Sequence, residues 1–176
     1  MAHIKGEAKE LASADLGGVA QVSGSMNGEG LRIGIVVSRF NESLTTDLAR
    51  TAIAALEKHG VQKKGILVHW VPGAYEVPAV IHKLALDKRF DALIALGVVI
   101  EGETPHADLI NAEVAHYLAK TSRRCGVPVI HEVVGTRNIG QAVARCTSGE
   151  TSRGWYAGCA AVEMATLYRA MEKRND

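Results

Sequence analysis

Aromatic side chains make up only 5% of the 176 residues, so the few that fall in loops stand out as stacking platforms. Cysteine is scarcer: Cys125, Cys146 and Cys159 are odd in number, far apart and free of any CxxC pair. That argues against a disulfide framework and a cysteine-built zinc site, and leaves three reduced, partly buried small residues. There is no charge imbalance either. A formal net charge of +1 gives no overall field to hold nucleic acid or an anionic membrane surface, so any charge chemistry is local. The longest apolar run, Ala92 to Ile100, is far too short to cross a bilayer, and the first residues lack the basic-then-apolar layout of a signal peptide. The expectation is a cytoplasmic protein without nucleic-acid or membrane partners.

Familiar binding and catalytic signatures are missing as well. No GxGxxG follows the first strand-like run and no P-loop signature occurs, which disfavours dinucleotide and P-loop nucleotide binding. No serine sits in a nucleophile elbow, and His59, His69, His82, His116 and His131 show no ligand spacing. Acyl-enzyme and metal chemistry are therefore poorly supported. His59, His82 and His116 read as solvated.

What is present is a core. With 47% hydrophobic residues the chain can bury the interior of one domain. Residues 1–30 carry no sustained period and are broken by Gly17-Gly18 and by glycines from Gly24 to Gly30. They read as a flexible arm, with a short strand at Val19–Val22 only where a neighbour offers an edge. Residues 31–176 form the domain. Arg32–Val37, Ile66–Val71, Ala92–Ile100 and Val127–Val134 are apolar runs of strand length, the last opened by Pro128. A helical period follows each: Leu48, Ala52, Ala55 and Leu56, closed by Gly60; Val77, Ile81, Leu84 and Ala85, with Pro78 in the first turn; Ile110, Val114, Tyr117 and Leu118; then Ile139, Ala142, Val143 and Cys146. A last helix follows the loop Thr147–Arg153. Its buried stripe reads as Ala160, Met164, Leu167, Tyr168 and Met171, with Gly154 and Gly158 suited to close packing. Alternating strands and helices imply a parallel sheet covered on both faces through right-handed crossovers, an α/β three-layer sandwich.

In such sheets ligands bind beyond the carboxyl ends of the strands. Four loops bring chemistry to that rim: Phe40 with Arg39 and Asn41, Tyr75 with Glu76, Gly102 to His106, and Thr136. Within Gly97–Asp108 an apolar strand breaks into a polar loop and re-enters a helix, with Thr104 as N-cap and Pro105 at the first helical position. Free N–H groups and the positive helix end then converge between Gly102 and His106, a corner that suits an anion. Histidine titrates near neutrality, so His106 is placed to move protons in condensation or elimination chemistry. Asp108 complements the helix end and does not face His106 at i,i+2. Arg145 and Arg153 are the candidate permanent cations. Each residue also has a plainer reading: Phe40 packs on its own helix, Glu76 favours a helix N-terminus, and the two arginines are solvated.

Four ordered motifs carry a resemblance. Phe40-Asn41, Val71-Pro72-Gly73-Ala74-Tyr75-Glu76-Val77-Pro78, Gly97-Val98-Val99-Ile100-x-Gly102-x-Thr104-Pro105-His106-x-Asp108 and Gln141-Ala142-x-x-Arg145 resemble the 6,7-dimethyl-8-ribityllumazine synthase family. The resemblance implies a four-stranded parallel sheet of flavodoxin-like order. It implies the condensation of 5-amino-6-(D-ribitylamino)uracil with 3,4-dihydroxy-2-butanone 4-phosphate in riboflavin biosynthesis, with no cofactor and no metal. Phe40 would stack on the pyrimidine, Tyr75, Glu76 and Val77 would hold the ribityl chain, and Val98, Val99 and Ile100 would line the ring pocket. Gly102, Glu103, Thr104 and Arg145 match phosphate-binding positions, His106 the proton-transfer residue, and His131 and Arg153 further substrate-binding positions.

The resemblance also implies a homo-oligomer, a pentamer with sites between subunits, in which Arg145 and the end of the fourth strand reach a neighbour's His106. Some members build an icosahedral shell of twelve pentamers, and the short loop Thr147–Arg153 favours the shell. The chain departs from the family pattern in places. Glu101 stands where a basic residue is common, Ala107 and Leu109 replace aromatics, His131 replaces a ring-covering aromatic and Arg153 a lysine. These departures support a second reading, a non-catalytic relative that keeps the shell and binds a flavin or lumazine. A third, a generic flavodoxin-like phospholigand binder, requires the motif match to be accidental.

Overall fold

The computed structural model describes residues 17–172, so the first sixteen residues of the expected arm lie outside the described residues. In chain order the described residues form β1 (Ile33–Ser38), α1 (Glu42–Lys58), β2 (Ile66–Val71), α2 (Val77–Leu86), β3 (Ala92–Ile100), α3 (His106–Cys125), β4 (Val129–Thr136), α4 (Ile139–Cys146) and α5 (Arg153–Glu172). The strands pair in parallel in the order β2-β1-β3-β4, the flavodoxin-like arrangement. The two central strands are apolar almost throughout because both of their faces are covered.

Alternation along the strands builds two cores. Ile33, Ile35, Val37, Ile94 and Leu96 meet Leu48, Leu56 and Val162 on the α1/α5 side. Val36, Leu93 and Ala95 meet Val77, Ile81, Val114 and Leu118 on the α2/α3 side. Each fully buried Leu, Ile or Val contributes about 1.5–3 kcal/mol, so these layers hold the strand ends at fixed heights. No helix among the described residues is long and apolar enough to cross a membrane.

Several side chains lie elsewhere than their period implies. Tyr117 is half exposed on α3, and Ile139 and Val143 are exposed on α4, which buries only Ala142 and Cys146. The largest correction concerns α5. Its buried face is Gly154, Ala157, Gly158, Cys159, Ala161, Val162 and Ala165, not the expected Ala160, Met164, Leu167, Tyr168 and Met171. The reason is a backbone-to-backbone crossing with α1. A Cβ on Gly154 would fall 2.1 Å from the Leu48 carbonyl oxygen, and one on Gly158 would fall 2.6 Å from that of Ala52. Small residues therefore face inward and the bulky ones lie on the outer flank.

Val19–Val22 forms no strand within the chain. The packed unit nevertheless begins before Leu31. The backbone N–H and C=O of Ser25 both bond the Thr166 hydroxyl at 2.8 Å, and the Gly28 N–H reaches the His59 carbonyl at 2.7 Å.

The α1–α5 crossing makes a direct test. Gly154→Ala is expected to cost about 1–3 kcal/mol, the usual penalty for overfilling a packed contact, and to lower the melting temperature in a thermal scan. An unchanged melting temperature would contradict the close crossing.

Candidate active site

Strand order creates the crevice. β1 lies between β2 and β3, so its outgoing connection leaves on one side while β3 returns on the other, opening a gap above the carboxyl ends of β1 and β3. Asn41 joins the two sides. It adopts a left-handed conformation (φ 62°) at the start of α1, tolerable for its short amide, and its Nδ2 donates to the Val98 carbonyl at 3.0 Å. The N–H groups of Arg39 and Phe40 donate to the Val71 and Pro72 carbonyls. These bonds turn Phe40 outward, and at 72% exposure it does not pack on its own helix. Beneath it Gly97 makes room for the buried Ser38, whose Oγ would lie 3.1 Å from a Cβ there.

A cavity of about 340 Å³ opens over the gap. Phe40, Tyr75, Val98, Val99, Ile100, Gly102, Thr104 and His106 line it, with Gly73, Ala74, Ala107 and Ile110. Val98 and Val99 are almost fully buried beneath the cavity, and the Val98 carbonyl is already held by Asn41. α3 is capped at Pro105 and not at Thr104, because the Pro105 carbonyl already accepts the Leu109 N–H at 3.3 Å. Proline loses nothing there, having no N–H to satisfy. Thr104 makes no cap bond and its side chain remains part of the cavity wall. The first-turn N–H groups of α3 have no partner within the helix, and His106 and Ala107 of that turn line the cavity.

Other expected residues stand apart. Glu76 spends Oε2 on the Gly73 N–H at 2.8 Å, which leaves Oε1 for a ligand. Val77 is 0% exposed, with its side chain in the α2/α3 core. Glu103 does not line the cavity. His131 pairs with Ala95 on the edge strand β4, well below the rim level of Ile100 and Thr136. Arg145 is exposed on α4. Arg153, at the start of α5, binds Glu132 through Nε (2.8 Å) and Nη2, one contact to each carboxylate oxygen.

Residues 30–169 match the 6,7-dimethyl-8-ribityllumazine synthase family. The chain belongs to that family. Proteins named 6,7-dimethyl-8-ribityllumazine synthase from two strains of Clostridium kluyveri are each 42% identical over 149 residues, covering 85% of this chain and 97% of theirs.

Within this family member Phe40, Tyr75, Val98–Ile100, Gly102, Thr104 and His106 form a first group that shares one cavity, while Glu76, Val77 and Glu103 lie nearby in sequence without lining it. His131, Arg145 and Arg153, on β4, α4 and α5, form a second group that does not line it. The second group includes a residue that sequence reading missed. Glu132 is 8% exposed, and burial raises its carboxyl above the usual range while the Arg153 and Arg145 charges oppose that rise. The available signal was a lone acid in an Ile/Val strand.

The thiols and histidines complete the electrostatics. Burial, with Asp47 nearby, pushes the Cys146 thiol up to about 11, and burial also raises Cys159. Both are free and inert thiols. His59 is only partly exposed, contrary to the solvated reading, because it closes over Cys159 with its Nε2 3.6 Å from the Sγ. Burial lowers its basicity, with Lys58 adding to the effect.

His131 is exposed on the edge strand, but partial desolvation of its ring lowers its basicity, and its Nδ1 accepts the Val133 N–H at 3.2 Å, which requires the unprotonated nitrogen. Stability from neutral His131 is thus complete above 6.5 and is lost as pH falls through the lower folded value. His131→Phe should flatten the decline in melting temperature between about pH 7 and about pH 5, leaving the share due to His59. Parallel curves for the two proteins would contradict the assignment.

Proposed function

We propose that this chain is a working lumazine synthase, joining 5-amino-6-(D-ribitylamino)uracil to 3,4-dihydroxy-2-butanone 4-phosphate with release of phosphate and water. One observation carries the reading: in a chain of this family, an outward aromatic, the carboxyl end of β3 and a helix N-terminus bearing histidine line one cavity. Phe40 offers a ring face to the pyrimidine. Tyr75 and Oε1 of Glu76 lie where the ribityl hydroxyls extend, with Val77 supporting them from the core. The loop Gly102-Glu103-Thr104 and the first-turn N–H groups of α3 receive the phosphate. Imine formation, phosphate elimination and ring closure need proton movement, charge stabilisation and orientation, and His106 stands beside the corner that supplies them.

The second group comes from a neighbour in this reading. β4 is an open edge of the sheet, and a pentamer would set His131, Arg145 and Arg153 of one subunit over the cavity of the next. Arg145 then closes the phosphate site. The short Thr147–Arg153 loop favours further assembly of pentamers into a shell in the cytoplasm. The non-catalytic alternative, argued from Glu101, Ala107 and His131, is not favoured: Phe40 and His106 share the cavity, and the C. kluyveri relatives carry the synthase name.

Steady-state formation of the lumazine chromophore tests this. Arg145→Ala should raise KM for the phosphorylated ketone by about tenfold or more, the loss of one charge-assisted contact, and leave KM for the pyrimidine nearly unchanged. His106→Ala should lower kcat about 10- to 100-fold, because positioning supplies much of the rate. Equal effects of Arg145→Ala on both substrates would refute the phosphate assignment, and a wild-type protein that forms no lumazine would refute the function.

A further inference from the structure

Glu132 occupies a place where the fold needs only an apolar residue. Along β4 the side chains of Ile130, Glu132 and Val134 share one face, and Ile130 and Val134 pack into the α1/α5 core. A buried carboxylate there is costly, and a well-packed hydrophobic residue usually serves stability equally well or better. The carboxylate does one specific thing. Its two oxygens take Nε and Nη2 of Arg153, a fork that a lysine ammonium cannot match. The Tyr156 ring lies 5.6 Å from the same guanidinium and limits it from a second side.

The pair is asymmetric. The Glu132 side chain is only 10% exposed and that of Arg153 is 39% exposed, so the acid is the anchor and the guanidinium is the presented group. Two of its five N–H donors are spent on the carboxylate, which leaves three whose directions the fork fixes. An unanchored arginine would have to give up rotamer freedom on every binding event, and an anchored one has already done so.

We propose that Glu132 is a positioning residue for the reaction: it locks the Arg153 guanidinium in the orientation that contacts the pyrimidine substrate in the neighbouring subunit's cavity. This rests on the synthase reading above and adds to it a residue that acts only through Arg153.

The test is steady-state kinetics of the full-length chain with each substrate varied in turn, for the wild type and for Glu132→Gln, Arg153→Ala and the double variant. Glu132→Gln is expected to raise KM for the pyrimidine about tenfold, comparable to Arg153→Ala, with KM for the phosphorylated ketone and kcat little changed. In the double variant the Glu132 substitution should add nothing to Arg153→Ala, as for two residues acting through one contact. Arg153→Lys keeps the charge but cannot take both oxygens. It is expected to show an intermediate rise, and it carries the test should Glu132→Gln fail to fold. A Glu132→Gln variant with a lower melting temperature and an unchanged KM would make the residue merely structural and overturn the proposal. So would a further rise in KM in the Arg153→Ala background, or an unchanged KM in Arg153→Lys. A wild type that makes no lumazine would instead refute the synthase reading on which the proposal stands.

Discussion

The reversal of strand order between β1 and β3 is the constraint from which the site follows. Parallel strands send their connections off at the carboxyl ends, and only where those connections diverge does a gap remain for a ligand. Here the divergence sets the Arg39–Asn41 loop opposite the Glu101–Pro105 loop. The Asn41 amide on the Val98 carbonyl fixes their separation, at the cost of a left-handed backbone residue. The two cores do the remaining work by holding β1 and β3 at a common height. Phe40 and the start of α3 consequently reach the same cavity although 66 residues separate Phe40 from His106.

The chain holds two separate sets of chemical groups. The cavity set is largely apolar and includes no Asp, Glu, Lys or Arg side chain. The set on β4, α4 and α5 is cationic, with Arg145 and Arg153 balanced in part by the buried Glu132. In the proposed reading the two sets act together, since a phosphate leaving group calls for both oriented N–H donors and a cation. Their separation within the fold is the physical argument for a site shared between subunits.

Much of this was legible in the residues. β2 and β3 run from Ile66 to Val71 and from Ala92 to Ile100 as read, because both are apolar runs bounded by turn residues. The inward faces of α1 and α2 followed from period alone. α5 was misread because period and bulk pointed to Met164, Leu167 and Met171, whereas the crossing with α1 selects the smallest side chains; packing distance overrode hydrophobicity. The cap of α3 moved by one residue, since Pro105 accepts the first helical bond as readily as Thr104. Phe40, Glu76 and His106 were marked by their positions at strand ends. Glu132 was invisible to that logic, because its meaning lies in a contact with Arg153 that spans 21 residues.

The shared site is the central claim, and subunit complementation tests it most directly. One chain carries Phe40→Ala and His106→Ala, another carries Arg145→Ala, and the two are dissociated, mixed in equal amounts and reassembled. The account predicts that lumazine formation recovers to about one quarter of the wild-type rate, the fraction of interfaces that pair an intact cavity with an intact Arg145 by chance in a closed ring. Activity that stays at the level of the separate variants at every mixing ratio would contradict it and place the whole site within one chain.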